Sequence, residues 1–208
     1  LPEKKIKYIS NCVEVNKDNR TISKEFIVCC IGNLRKNKNH SFFINIMKDV
    51  INEVPVAKGW IIGQPVDDEP NVHIELRDEI RKHQLEGKVS LLGFQSNIIK
   101  ILKKCSVLVM PSKSEGMPNV VLEAMSIGIP VVSSNVGGLS QLIYHGKNGL
   151  ICNIKNKKEF ADSIKLLLTQ IPMNKKLGTN GKKFTLARHC PSRTVDKFIT
   201  FYYDLLGI

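Results

Sequence analysis

The sequence is poor in acidic residues and has no long hydrophobic run. It contains 19 Asp and Glu against 31 Lys and Arg, which gives a formal net charge of +12 over 208 residues. Such an excess favours an anionic partner: a phosphorylated substrate, a membrane face or a nucleic acid. The lysines are scattered, however, and scattered lysines are typical of solvated surface. No recognition-helix pattern, RNP-like aromatic motif or zinc-finger spacing accompanies them, and we therefore predict no nucleic-acid partner.

No apolar run approaches the roughly 18 residues that a membrane-spanning helix needs. The first residues of the sequence also lack the hydrophobic segment of a signal peptide. We therefore expect a cytoplasmic protein, and the basic charge leaves peripheral contact with the inner face of the plasma membrane open as an alternative.

The six cysteines include no Cys-x-x-Cys pair. Cys29, Cys30 and Cys105 lie inside or beside strand-like runs, and this placement favours buried, reduced thiols over disulfides or a zinc site. The five histidines form no spaced cluster. Neither residue type therefore predicts a metal centre.

The sequence contains a regular alternation of short apolar runs with longer amphipathic segments. The runs predict strands at residues 26–31, 59–63, 89–93, 107–110, 130–133 and 150–152. The segments predict helices at residues 40–54, 73–85, 97–104, 119–127, 139–145, 157–169, 174–188 and 192–206. Strands separated by helices of this length imply right-handed crossovers and a parallel sheet covered on both faces. We therefore predict the α/β class, as a Rossmann-like three-layer domain with a roughly six-stranded parallel sheet and C-terminal helices.

Along the chain we expect three parts. They are an approach segment of weak order (residues 1–24), the Rossmann-like domain (residues 25–190) and a closing helix (residues 191–208). The closing helix carries an apolar stripe at helical spacing, formed by Val195, Phe198, Ile199, Tyr202 and Leu205 or Leu206. A stripe of this kind must lie against another surface.

Glu115 and Glu123 are the most informative residues, because the second interrupts a stretch that is otherwise almost wholly apolar from residue 118 to residue 132. That stretch predicts a buried helix, with Pro118 in its first turn and Gly128 at its end, followed by a buried strand. Glu123 would lie about two turns into the helix, where an unpaired carboxylate costs several kcal/mol. Its presence there favours a functional role.

Glu115 lies in the loop ahead of this helix, beside a flexible Gly116. Both carboxylates can therefore reach the start of the helix, where free N–H groups attract anions. Carboxylates accept hydrogen bonds from hydroxyls and helix starts hold phosphates, so a nucleotide-sugar would satisfy the whole set. The alternative is that Glu115 is an ordinary first-turn acid and that Glu123 caps a neighbouring element or pairs with a surface lysine.

Over nearly its whole length the chain resembles the retaining glycosyltransferases of family 4, also called group 1. The strongest match is the signature around Glu115 and Glu123, and residues 32–39 are similar to the family's phosphate-binding segment. The matching segments are residues 32–39, 88–94, 111–132, 136–138, 146–150 and 198–206.

The resemblance implies one half of a GT-B fold, in which two Rossmann-like domains face each other across the active site. The first domain grips the acceptor and the second binds the nucleotide-sugar, and only the second resembles this sequence. Residues 6–13 look like the segment that follows the interdomain linker. We therefore expect a C-terminal fragment of a protein near twice this length, or a stand-alone subunit, with a glycan or lipid-linked acceptor bound by the missing N-terminal domain.

Carried over position by position, the resemblance implies two catalytic residues. Glu115 would accept hydrogen bonds from hydroxyls of the donor sugar, and Lys38 would neutralise the diphosphate as it leaves. Glu123 would hold the ribose hydroxyls. The residues implied in nucleotide-sugar binding are Gly32, Asn33, Arg35, Lys38, Gly93, Phe94, Gly116, Met117, Asn119, Val120 and Glu123.

Two positions depart from the family pattern. Asn33 stands where the family has an arginine, and Arg35 either replaces that arginine at the phosphates or faces solvent. Gln141 stands where the family more often has a glutamate after Gly137-Gly138. The glycine pair itself is either an anion nest or a tight turn from strand to helix.

The resemblance implies an enzyme, a bacterial hexosyltransferase domain that is inactive without its acceptor domain. It would take a hexose or N-acetylhexosamine from a UDP-sugar, with retention at the anomeric carbon, for a surface polysaccharide or glycoconjugate. The sequence has no Asp-x-Asp motif, and Asp67-Asp68 lies in a proline-rich, turn-like loop. We therefore expect a metal-independent reaction without a cofactor. A nucleotide-sugar epimerase of GT-B architecture and a non-catalytic nucleotide-sugar-binding module remain the alternatives.

Overall fold

The computed structural model describes residues 7–14 and 25–207. Its centre is a parallel sheet of six strands in the order β3-β2-β1-β4-β5-β6. The strands are β1 (Ile27–Ile31), β2 (Lys58–Ile62), β3 (Val89–Leu91), β4 (Val107–Met110), β5 (Val131–Ser134) and β6 (Leu150–Cys152). The helices are α1 (His40–Glu53), α2 (Val72–Lys82), α3 (Ile98–Leu102), α4 (Asn119–Ser126), α5 (Leu139–Leu142), α6 (Lys157–Thr169), α7 (Ile171–Arg188) and α8 (Pro191–Leu206), and a 3₁₀ turn at Lys36–Lys38 precedes α1. The predicted α/β class and parallel sheet are confirmed.

Each face of the sheet buries a separate hydrophobic cluster, because successive strand residues point to opposite faces. In β1, Val28 and Cys30 pack with residues of α1, α2 and α6. Ile27, Cys29 and Ile31 pack on the other face with residues of α3, α4 and α5. Every residue of β1, β4 and β5 is buried. A sheet covered on both faces therefore explains why these strands are continuous apolar runs in the sequence.

Several elements differ from the predictions; α2, for example, ends at Lys82 instead of residue 85. β3 ends at Leu91 instead of residue 93, because the left-handed backbone of Gly93, with φ 67°, lies outside the strand region. α5 has four residues instead of the predicted seven, because the chain becomes extended at Ile143, with φ −111° and ψ 122°. α7 begins at Ile171 instead of residue 174, since Pro172 suits the first turn of a helix.

All six cysteines are free thiols. Cys29, Cys30 and Cys105 are buried, which confirms the prediction of reduced thiols in the core. Burial also raises the pKa of Cys152 to about 11. Its thiol is therefore protonated at neutral pH.

The order of the strands reverses between β1 and β4, which are neighbours in the sheet although β2 and β3 separate them in the chain. In open parallel sheets, ligands bind beyond the carboxyl ends of the strands at such a switch point. The loops that leave β1 and β4 here are residues 32–39 and 111–118. Both are among the segments that the sequence singles out.

α8 is poorly buried, with Thr194 as the buried residue of its 16. Its apolar stripe is exposed, and no surface within residues 7–14 and 25–207 covers it. The requirement that the stripe lies against another surface is therefore unmet in the described chain.

α8 begins at the predicted boundary of the closing helix, whereas only residues 7–14 of the predicted approach segment are described. In the described part of the chain, no helix combines the length and the apolar content that crossing a bilayer requires.

α7 packs tightly against the end of α4. A Cβ atom at Gly178 would lie 2.1 Å from the carbonyl oxygen of Gly128, in the turn that follows α4. Three residues further along the same helix, a Cβ atom at Gly181 would meet the Met125 side chain at 3.3 Å. A side chain can move aside more easily than backbone, so only the first glycine is required by packing.

We expect Gly178→Ala to lower the free energy of unfolding by about 1–3 kcal/mol, because the new methyl group forces α7 away from the end of α4. Urea unfolding followed by circular dichroism measures the loss. Gly181→Ala is the matched control, since replacing a helical glycine by alanine gains about 1 kcal/mol of helix propensity and the Met125 side chain can yield. Equal stabilities of the two variants would contradict the close contact at Gly128.

Candidate functional site

The two predicted catalytic residues meet at the switch point. The Lys38 ammonium donates to both carboxylate oxygens of Glu115, at 2.8 Å each. The Ser112 hydroxyl donates to Glu115 Oε1 at 2.7 Å. The Glu115 side chain is 6% exposed and that of Lys38 is 22% exposed, so the lysine is the more accessible partner. This ion pair joins the loop after β1 to the loop after β4.

Asparagine contacts hold the same two loops together. Asn39 has a left-handed backbone with φ 60°, a conformation that asparagine tolerates better than most residues. Its side-chain amide donates from Nδ2 to the Pro111 carbonyl at 3.1 Å. The backbone N–H of Lys113 donates to the Asn37 carbonyl at 2.8 Å. The chain can thus pass directly from the 3₁₀ turn into α1 with the lysine aimed at the carboxylate.

His40, the first residue of α1, supports the loop after β1 from the core. Its Nε2 lies 3.2 Å from the Asn33 carbonyl oxygen, which can only accept, so Nε2 carries the hydrogen. Its Nδ1 lies 3.3 Å from Cys30 Sγ. Burial lowers the pKa of His40 and raises the pKa of Cys30, so the imidazole is neutral and the thiol donates to it. The pair therefore holds the Asn33 peptide in place and is not an activated nucleophile.

Glycines line the carboxyl edge of the sheet next to the ion pair. A Cβ atom at Gly63 would lie 2.0 Å from the Gly32 carbonyl oxygen. The Gly63 N–H donates to the Gly93 carbonyl at 3.0 Å. The aliphatic carbons of Lys38 lie 3.5–3.6 Å from the position of a Cβ atom on Gly32. The structure thus places Gly32 and Gly93, both predicted site residues, along one edge with Lys38.

Gly137 and Gly138 bring the loop after β5 against the loop that carries Glu115. A Cβ atom on Gly137 would lie 1.9 Å from the Glu115 carbonyl oxygen, and one on Gly138 would lie 1.9 Å from that of Gly116. The Gly138 N–H donates to the Glu115 carbonyl at 3.2 Å, so this amide is already occupied. Of the two interpretations of the glycine pair, the structure favours the tight turn between β5 and α5 over the anion nest.

The start of α4 collects four more of the predicted site residues, Gly116, Met117, Asn119 and Val120. Pro118 lies at the N-cap, with φ −72° and ψ 118°, and not in the first turn as predicted. No side chain caps the helix, and the first N–H groups of a helix have no partner within it. Gly116 and Asn119 are exposed. The helix therefore presents amides without intrahelical partners close to Glu115.

Glu123 is the fifth residue of α4, just over one turn into the helix and not two. Its carboxylate is half-buried, and burial raises its pKa. Across residues 7–14 and 25–207 this carboxylate forms no ion pair and no hydrogen bond. The alternatives in which Glu123 pairs with a lysine or caps an element thus find no support in these residues. A partly buried carboxylate without a partner costs stability, as expected of a residue that binds a ligand.

Arg35, Phe94 and Gln141 lie in different surroundings. Arg35 Nη2 donates to Asp68 Oδ1 at 3.2 Å, and both side chains are exposed. The structure therefore directs Arg35 to a surface ion pair and not to the Lys38–Glu115 pair. Phe94, in the loop after β3, is 66% exposed. Gln141 lines a separate cleft.

Three residues support the site although no role was predicted for them from the sequence. Ser112 binds Glu115 and Asn39 ties the two loops together, as described above. Asn11 donates from Nδ2 to the Met117 carbonyl at 3.2 Å and to Asn119 Oδ1 at 2.8 Å. Ser112 was open to prediction as a polar residue beside the Glu115 motif. Asn11 was not, because 106 positions separate it from Met117.

In the described ranges, no group of three or more His, Cys, Asp and Glu side chains is placed to hold a metal ion. The metal-independence of the reaction stays a prediction.

Comparison with known proteins places these features in a family. The family described as "Glycosyl transferases group 1" matches residues 14–184. N-acetyl-alpha-D-glucosaminyl L-malate synthase of Bacillus anthracis is 25% identical, over 98% of this chain and 52% of its own length. UDP-Gal:alpha-D-GlcNAc-diphosphoundecaprenol alpha-1,3-galactosyltransferase of Escherichia coli is 28% identical, over 77% of this chain and 44% of its own length. The chain spans about half the length of the curated relatives it matches.

The crystal structure of a mutant of S. aureus TarM in complex with fondaparinux, alpha-GlcNAc-glycerol and UDP has a TM-score of 0.85 to this chain. The two are 23% identical, and the match covers 93% of this chain and 38% of TarM. At this identity the likeness shows the fold, which is one half of the GT-B architecture. Because the family match covers most of the residues, the chain belongs to the group 1 glycosyl transferases and is a glycosyltransferase domain.

Proposed function

We propose that this chain is the nucleotide-sugar-binding half of a retaining glycosyltransferase that builds a surface polysaccharide or glycoconjugate. The donor is a UDP-hexose or a UDP-N-acetylhexosamine. The observation that carries the proposal is the Lys38–Glu115 pair, which places a cation for phosphate 2.8 Å from a carboxylate for sugar hydroxyls at the switch point. The choice of UDP is supported by the name of the E. coli relative and by the UDP in the TarM complex.

Lys38 and Glu115 keep capacity for a ligand while they are paired. An ammonium group has three N–H donors, and Glu115 takes two of them. A carboxylate has about four acceptor sites, of which Lys38 takes two and Ser112 takes one. One donor and one acceptor remain. A nucleotide-sugar can therefore bind with a phosphate at Lys38 and a sugar hydroxyl at Glu115 without breaking the ion pair.

α4 supplies the other donor contacts in this proposal. The amides of Asn119 and Val120 suit the diphosphate, since the positive end of the helix dipole favours anions. The half-buried carboxylate of Glu123 accepts hydrogen bonds from the two ribose hydroxyls, which replace the water that it lost on folding. The exposed ring of Phe94 offers a face for the base.

In the proposed reaction, the bond between the anomeric carbon and the phosphate oxygen breaks and UDP leaves with the electron pair. The acceptor hydroxyl attacks from the same face, and the leaving phosphate takes its proton. This half of the enzyme therefore needs no general base. Lys38 stabilises the charge that builds on the diphosphate, and Glu115 stabilises the positive charge that develops on the sugar. These charges and the α4 amides take the place of a metal ion.

The acceptor, a glycan or a lipid-linked sugar, binds the part of the enzyme that corresponds to the unmatched half of the relatives. The chain alone is thus expected to bind the donor without transferring the sugar. We place the reaction in the cytoplasm, and at the inner face of the plasma membrane when the acceptor is lipid-linked.

Glu123→Ala tests the nucleotide site. We expect UDP to bind at least about 100-fold more weakly, because two hydrogen bonds to a charged acceptor are worth about 1.5–3 kcal/mol each. Isothermal titration measures the affinity, with magnesium and with EDTA, and the two conditions should agree. Glu86→Ala, which removes an exposed carboxylate before β3, is the control. Unchanged UDP affinity in Glu123→Ala would count decisively against this role.

Glu115→Gln should separate sugar binding from nucleotide binding. The amide keeps an acceptor oxygen but loses the charge that strengthens hydrogen bonds from sugar hydroxyls. We expect the affinity for a UDP-sugar, relative to UDP, to fall about tenfold, while UDP affinity is unchanged or higher because Lys38 is no longer neutralised. Competition titrations of both ligands give this ratio. Ser114→Ala, at an exposed neighbouring position, should leave it unchanged, and an unchanged ratio in Glu115→Gln would remove the sugar role.

Glu123→Gln should stabilise the unliganded chain at pH 7. Burial raises the pKa of Glu123 in the folded state above its ordinary value, which is about 4.3. The ionised carboxylate therefore destabilises the fold above the raised pKa, and this cost disappears as the pH falls to the ordinary value. Urea unfolding of both proteins between pH 7 and pH 4 should show a stability difference that shrinks towards acid. A parent chain that is the more stable of the two at pH 7 would show that the carboxylate has a stabilising partner.

A further inference from the structure

A second cleft, of about 650 Å³, opens where residues 8–10, α5, the end of α7 and the start of α8 come together. Of the predicted site residues, only Met117 lines it. The side chains that determine its chemistry are those of Tyr8, Tyr144, Phe184, Arg188, Arg193 and Lys197. The cleft is therefore separate from the Lys38–Glu115 pair and has its own set of polar groups.

The cleft carries positive charge without a counter-charge. Arg188, Arg193 and Lys197 line it, and no Asp or Glu does. In the described residues, none of these three side chains forms an ion pair. The sequence explains the imbalance, because residues 163–195 contain no acidic residue. A concave surface lined by cations of one sign attracts anions.

The pKa of His189 is affected by the same positive charges. Burial lowers the pKa of this histidine, and the charges of Lys197 and Arg188 lower it further. Its Nδ1 lies 3.1 Å from the Asn11 carbonyl oxygen. His189 therefore lines the cleft as a neutral imidazole, and the positive charge comes from the two arginines and the lysine.

Aromatic rings form the other wall. The rings of Tyr144 and Phe184 pack edge to face, with centroids 5.7 Å apart. The guanidinium carbon of Arg188 lies 5.3 Å from the Phe184 centroid. Stacking of this kind orients a guanidinium while its N–H groups stay available in the plane, where they match the oxygens of a phosphate. Tyr8 is 68% exposed and Tyr144 is 42% exposed, so both offer some uncovered ring surface to a ligand.

We propose that this cleft binds the phosphate group of a ligand that also presents an apolar or ring-shaped surface. Arg188 and Arg193 bind the phosphate oxygens through paired N–H groups, and Lys197 adds a third charge. Tyr8, Tyr144 and Phe184 cover the rest of the ligand. The proposal is independent of the donor site, since it uses neither Lys38 nor Glu115. The phosphate can come from a free phosphorylated molecule or from a lipid headgroup, and both carry the same chemistry.

Titration with inorganic pyrophosphate tests the phosphate site itself, and every protein in this titration carries Lys38→Gln, so that the proposed diphosphate site contributes little binding. The variant is Arg188→Gln with Arg193→Gln, and the matched control is Lys175→Gln with Lys176→Gln, which removes two exposed charges from another part of α7. We expect the affinity for pyrophosphate to fall at least about tenfold in the cleft variant, because charge-assisted hydrogen bonds are lost, and to stay within about twofold in the control. Absence of binding to the parent chain, or equal loss in both variants, would overturn the proposal.

Vesicle binding distinguishes the two sources of phosphate. Sedimentation with phosphatidylglycerol vesicles, against phosphatidylcholine vesicles, is run on the same three proteins. Selective loss of phosphatidylglycerol binding in the cleft variant assigns the site to a lipid headgroup. Equal vesicle binding by all three proteins, together with the pyrophosphate result above, assigns it to a free phosphorylated molecule. Circular dichroism checks that the variants fold, and Lys197→Gln, at an exposed position of α8, provides a second test of the same charge.

Discussion

The Gly137–Gly138 peptide packs so closely on the Glu115–Gly116 peptide that neither glycine of the first pair has room for a methyl group. Any side chain there would push the loop after β4 away from its position, and Glu115 with it. Gly63 and Gly32 make a similar contact on the other side of the switch point. The distance between Lys38 and Glu115 thus depends on these backbone contacts at glycines. The charged side chains then form the ion pair between loops whose positions the glycines determine. Binding sites held by rigid packing need little rearrangement when the ligand arrives.

Much of the fold was open to prediction, because β1, β4 and β5 are buried on both faces and are therefore unbroken apolar runs. Glu123 was also open to prediction, since a carboxylate within such a stretch conflicts with its surroundings. The length of α5 was not, because the chain becomes extended at Ile143 without a helix-breaking residue at that position. The pairing of Arg35 with Asp68 was equally hidden, since 33 positions separate them.

The switch point and the cleft near the end of α7 differ in how their positive charges are balanced. At the switch point, Lys38 is matched by Glu115. Near the end of α7, Arg188, Arg193 and Lys197 form no ion pair within the described residues, and residues 163–195 contain no acidic residue. From the sequence we interpreted the scattered basic residues as solvated surface. The structure shows that three of them nevertheless come together in one cleft. These charges come together because α5, α7, α8 and residues 8–10 meet in the folded chain. The order of residues in the sequence does not show this contact.

The ion pair between Lys38 and Glu115 makes the centre of the proposed donor site electrically neutral. A solitary lysine would attract every small anion, whereas a lysine matched by a carboxylate gives such ions little net attraction. An anion without hydroxyl groups would also meet the negative charge of Glu115 at close range. A ligand that carries hydroxyl groups next to its phosphate meets no such penalty, because the carboxylate accepts their hydrogen bonds. The pair would therefore act as a filter, so that the site stays free of abundant competing anions until a sugar and a phosphate arrive on the same molecule.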